Sequence, residues 1–100
     1  AMSSRNQLLK KKERNAASII YKTLRKIAEN NDRWDVNYMA YFFKKSVEEN
    51  FFLRVEYFFV AEEATLIPVK HLKKQNTYRI FVAVNAGKTR LIDTLKLERI

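Results

Sequence analysis

One hundred residues with 47% hydrophobic and 31% charged side chains, one Gly, one Pro and no Cys describe a single domain that builds its core without disulfides. A lone Gly excludes the Gly-rich phosphate loops, and one His without Cys excludes the usual zinc clusters and the Cys–His nucleophile. The 20 Lys and Arg against 11 Asp and Glu leave a net charge of +9, which favours a polyanionic partner: nucleic acid, an acidic membrane surface or a phosphorylated ligand.

The charge is concentrated at one end. Between Ala1 and Lys26 eight basic side chains face Glu13 alone, so this quarter carries +7 and the remaining 74 residues only +2. No apolar run reaches the ~18 residues of a membrane span, and the N-terminus lacks the apolar core of a secretory signal. The default expectation is a soluble cytoplasmic protein with no membrane partner.

Along the chain, Ala16, Ile20, Leu24, Ile27 and Ala28 recur at three- and four-residue steps, with Lys22, Arg25, Lys26 and Glu29 on the opposite side. This spacing predicts an amphipathic helix that ends near Asn30-Asn31-Asp32. A second helix is expected from an Asp35 N-cap, with Val36, Met39, Ala40, Phe43 and Val47 as its apolar seam. From Phe51 the period falls to two: Leu53, Val55, Tyr57 and Phe59 are expected on one side of a strand, Arg54, Glu56, Phe58 and Val60 on the other. The apolar Phe58 and Val60 imply cover on both faces at its far end.

Residues 61–74 read as irregular, and Pro68 excludes a central strand there. Tyr78–Val84 alternates as a second strand. Asn85-Ala86-Gly87-Lys88 forms a turn, and 90–97 is a third strand with Leu91, Leu95 and Leu97 aligned. Helices followed by strands predict an α+β fold, two helices packed on a small antiparallel sheet of about three strands.

The ends of the chain carry more specific letters. Met2-Ser3-Ser4-Arg5-Asn6, then Leu9 and Glu13-Arg14, resembles the M-S-S-R-N…L…E-R segment of pantothenate synthetases, the pantoate–β-alanine ligases. Gly87-Lys88-Thr89-Arg90-Leu91-Ile92-Asp93 resembles that family's terminal G-x-T-R-L-I-D-N signature. Between them, Val55-Glu56-Tyr57 and Thr65-Leu66-Ile67-Pro68-Val69 resemble its V-D-Y and T-L-x-P-V stretches in the same order. Three departures stand out: Leu8 where the family often has Tyr, Lys10 where a Ser usually caps the first helix, and Thr94 in place of the final Asn.

The resemblance implies the C-terminal domain of an ATP-dependent, AMP-forming ligase whose Rossmann-like catalytic domain is not in this sequence. It further implies ATP with Mg2+, the substrates pantoate and β-alanine, the N-terminal domain as partner, and a homodimer formed through that domain. On this analogy Ser3 and Ser4 donate hydrogen bonds to phosphate oxygens from a mobile loop. Arg5 is the catalytic charge partner of the departing pyrophosphate, and Met2 lies beside the nucleotide. The isolated chain is expected to be inactive.

Simpler readings stand beside these. Residues 2–5 taken alone read as a loose terminus, Lys10-Lys11-Lys12 as a solvated helix start, and His71 as an exposed loop residue. Arg90 and Asp93, three apart on a strand, suit structural pairing better than catalysis. Phe42, Phe43, Phe51, Phe52, Phe58 and Phe59 suit core or interface better than base stacking. The competing functions are a small basic nucleic-acid-binding module and a protein-interaction module.

Overall fold

The computed structural model of the chain describes residues 4–73 and 76–97, with residues 4–10 described by their backbone only. Two helices, α1 (Ser4–Glu29) and α2 (Val36–Glu48), are followed by four strands: β1 (Leu53–Glu62), β2 (Pro68–Val69), β3 (Tyr78–Ala86) and β4 (Thr89–Leu97). The expected α+β architecture is present. The sheet has four antiparallel strands in the order β2-β1-β3-β4, one more than expected. The extra strand is the two-residue pairing of Pro68 and Val69 with Ala61 and Val60. Pro68 sits where a missing N–H is harmless, on the edge.

The helix boundaries follow from side-chain chemistry. Asn30 and Asn31 end α1 by donating from their side-chain amides to the carbonyls of Lys26 (2.8 Å) and Ala28 (2.6 Å) in its last turn. Asp35 caps α2, accepting from the Tyr38 N–H at 2.7 Å. The start of α1 departs from expectation. It begins at Ser4 instead of near Lys10, so Ser4, Arg5 and Asn6 are helical in backbone where the resemblance implies a loop.

Both helices lie on one face of the sheet. Ala16, Ile20, Leu24 and Ile27 of α1 and Met39, Phe43 and Val47 of α2 meet Leu53, Val60, Ile80, Val82, Val84 and Leu97, all essentially inaccessible to solvent. Thr23, buried on the same face of α1, donates its hydroxyl to the Ile19 carbonyl at 2.7 Å, so it enters the core without an orphaned polar atom.

Strand β1 does not keep the single alternation expected of it. Val55 pairs with Val84 and Tyr57 with Ala83, which leaves Glu56 as an extra residue in a β-bulge. A one-residue insertion exchanges the faces of everything after it. Leu53 and Val55 face the helices before the bulge, and Phe58 and Val60 face them after it. Tyr57 and Phe59 are thereby moved to the open face, where Phe59 stacks on Phe81 at 5.1 Å between ring centres. At the far end of β1 Val60 is buried on the helix side and Ala61 on the other, with Phe59 half-buried beside Phe81, so the cover expected on both faces is present there. Among the described residues no helix is long and apolar enough to cross a membrane.

Candidate functional site

The early turns of α1, the α2–β1 connection and the β3–β4 turn come together at one end of the molecule, with Val55-Glu56-Tyr57 just beyond them on β1, whereas residues 65–69 lie at the opposite end of that strand. Gly87 occupies the turn with φ +62°, a left-handed conformation that L side chains rarely adopt. The site demands glycine for a second reason. A Cβ there would lie 2.8 Å from the Phe52 ring. The Gly87 N–H also donates to the Phe52 carbonyl at 3.2 Å, fixing turn and connection to each other.

Two contacts join α1 to this junction. The Thr89 hydroxyl donates to Glu13 Oε1 at 3.0 Å, linking residues 76 positions apart, with both side chains half-buried. The Lys12 ammonium lies 5.1 Å from the centre of the Phe52 ring on the same side of the helix. Lys12, Asn15, Asn50 and Phe52 line a cleft of about 140 Å3. That is well under the ~300 Å3 typical of small-molecule pockets, so this cleft is no nucleotide pocket.

The third motif is tied in through Arg90. Its guanidinium donates twice to Glu56, from Nε at 2.8 Å and Nη2 at 3.0 Å, and lies 5.9 Å from the Tyr57 ring. The hydrogen bond to Glu56, and after it the carboxylate's charge, raises the Arg90 pKa above its ordinary value. The structural pairing expected of Arg90 is thus present. Asp93 is engaged locally, accepting from the Thr94 N–H at 2.8 Å.

The residues expected to act on phosphate fall at the limit of the description. Met2 and Ser3 lie outside the described residues, and Ser4 and Arg5 enter only as backbone in the first turn of α1. That turn contains no acidic residue, and Lys11, Lys12 and Arg14 follow it along the helix. His71 is exposed, as expected. The phenylalanines divide: Phe43 and Phe58 pack together in the core at 5.4 Å, Phe52 supports the Gly87 turn, and Phe51 is 90% exposed. Sequence reasoning missed Glu13, Thr89, Phe52 and Glu56 as connectors. The available signal was that Glu13, Thr89 and Glu56 sit inside the three motifs.

The layer of two helices on a bulged antiparallel sheet, with the early turns of the first helix tied to the β3–β4 turn, has a counterpart within a solved ligase. It matches part of the crystal structure of pantothenate synthetase from Thermus thermophilus with a TM-score of 0.72 and 26% identity, covering 97% of this chain and 35% of that one. The chain belongs to the pantoate–β-alanine ligase family, whose profile matches residues 1–96. Pantothenate synthetase of Flavobacterium psychrophilum is 35% identical over 98 residues, and that of Thermodesulfovibrio yellowstonii 38% identical over 102. In both, 98% of this chain matches 35% of the relative, so the chain spans about a third of the length of these proteins.

Proposed function

We propose that this chain is the C-terminal part of an ATP-dependent, AMP-forming pantoate–β-alanine ligase and that it closes over the triphosphate of ATP. In the intact enzyme the pantoate carboxylate attacks the α-phosphorus, forming pantoyl adenylate and expelling pyrophosphate. The β-alanine amine then attacks the acyl carbon and expels AMP, giving pantothenate. Ser3 and Ser4 donate to phosphate oxygens, Met2 lies beside the nucleotide, and Arg5 offsets the charge that accumulates on the departing pyrophosphate. Closure excludes water from the adenylate, whose hydrolysis competes with product formation.

The observation that carries this reading is that the family match runs from residue 1, through the Met2–Arg5 segment, into a helix start that suits an anion. The first turn of α1 bears no acidic side chain, leaves its N–H groups without intrahelical acceptors and carries the positive end of the helix dipole. We assign the ligands of the Mg2+ ion to ATP and to the remainder of the enzyme. That remainder also supplies the pantoate and β-alanine pockets, the adenine site and the homodimer contact. The assembled enzyme works in the cytoplasm.

Arg5→Ala in the intact ligase tests the assignment, with adenylate formation followed by pantoate-dependent exchange of labelled pyrophosphate into ATP. The exchange rate is expected to fall about a hundred- to a thousandfold with the fold intact, the loss typical of removing one group that stabilises transition-state charge. An unchanged rate overturns the assignment. The isolated chain is expected to give no turnover.

A further inference from the structure

The first three turns of α1 precede Ala16, the most N-terminal core residue of that helix among those whose burial is described. Residues 4–15 span about 18 Å of helix, a length that is marginal on its own in water. Lys10 and Arg14, like charges one turn apart on this helix, weaken the segment further. Something must hold it. Among the described residues the most N-terminal side-chain contacts of α1 are those of Lys12 with the Phe52 ring and of Glu13 with the Thr89 hydroxyl. Both partners are themselves fixed. Phe52 is locked under Gly87 by ring contact and by the N–H bond to its carbonyl, and Thr89 begins a strand whose next residue grips Glu56.

We propose that Glu13 and Thr89 are positioning residues for the phosphate-binding segment, a clamp that fixes the first turns of α1 on the β3–β4 turn. Arg5 lies eight residues before Glu13, about 12 Å up the helix. Without the clamp the whole segment before Glu13, Arg5 included, is free to swing away from the β3–β4 turn. The clamp gives two of the three motifs a common purpose: the Glu of one end signature accepts a hydrogen bond from the Thr of the other. Its functional half rests on the ligase reading above, and its structural half does not.

The structural half is tested on the 100-residue chain by amide hydrogen exchange of wild type, Thr89→Val and Thr89→Ser. Valine keeps the branched shape at the strand start and removes the donor; serine restores it. Exchange at residues 8–12 is expected to accelerate about fivefold in Thr89→Val, the factor equivalent to one ordinary hydrogen bond, with β3 unaffected and Thr89→Ser close to wild type. No acceleration at 8–12, or an equal acceleration across β3, overturns the clamp. The functional half is tested in the intact ligase with Thr89→Val alone and combined with Arg5→Ala. The single change is expected to slow pyrophosphate exchange about tenfold, and to slow it no further where Arg5 is already gone. An equal additional loss on the Arg5→Ala background overturns the positioning role. If Arg5→Ala itself is silent, the ligase reading fails, and the exchange measurement still decides the clamp.

Discussion

Arg90 of β4 reaches over the central strand β3 to grip Glu56 of β1, two strands away, with hydrogen bonds of 2.8 and 3.0 Å. The β-bulge is what makes this reach possible. Glu56 is the extra residue in β1, and the displaced register puts both its carboxylate and the following Tyr57 ring on the open face within range of one guanidinium.

The planar fork of arginine suits this site and the point charge of lysine does not. The hydrogen bond to Glu56, and after it the carboxylate's charge, raises the Arg90 pKa, so the guanidinium stays charged throughout any working range. Both side chains are roughly half exposed, and the interaction therefore shapes the local surface more than it sets global stability. We expect the Arg90 Nε–H to give a protected proton resonance in the wild-type chain that is lost in Glu56→Gln, with the backbone amides of β3 unshifted in exchange rate. A resonance equally protected in both chains would show that the pair does not persist in solution.

Gly87→Ala combines two penalties. The left-handed φ costs an L residue about 1–2 kcal/mol, and the new methyl must displace the Phe52 ring. Urea unfolding is expected to show a loss of about 2 kcal/mol or more. Placing Gly87→Ala on a Phe52→Ala background separates the two penalties, because the ring obstruction is gone and only the backbone cost remains. Equal losses on the two backgrounds would mean that Phe52 yields freely.

Where local chemistry decides structure, the sequence is readable. The Asp35 cap, the Asn30 and Asn31 stop and the apolar stripe from Ala16 to Ile27 rest on interactions or spacings of no more than four residues, and each is found in place. The faces of β1 are not readable beyond Val55. No residue in Val55-Glu56-Tyr57 demands a bulge, and alternation on either side of it is intact, so a single phase through Phe59 fits the letters equally well. Pairing of Pro68 and Val69 is hidden for a related reason. Two residues carry no period, and only the position of β1 beside them makes a strand. The site divides along the same line: motif letters mark Glu13, Glu56, Thr89 and Arg90, but their partners lie 76 and 34 residues apart and follow only from the folded register.

Glu48 occupies the last turn of α2, where the negative end of the helix dipole disfavours a carboxylate. Its place is explained by the hydrogen bond it accepts from the Val55 N–H at 2.9 Å, immediately before the bulge. An unpaired, partly buried N–H costs on the order of 1–2 kcal/mol. Glu48→Ala removes the acceptor and is expected to destabilise the chain by about 1 kcal/mol in urea unfolding, even though it also removes the unfavourable charge. Glu48→Gln keeps a carbonyl oxygen at the same reach and relieves the dipole conflict, so it is expected to match wild type within a few tenths of a kcal/mol. The two variants separate hydrogen bonding from charge: if Glu48→Ala proved as stable as Glu48→Gln, the carboxylate would not be what closes the bulge, and the Val55 N–H would have to find water instead.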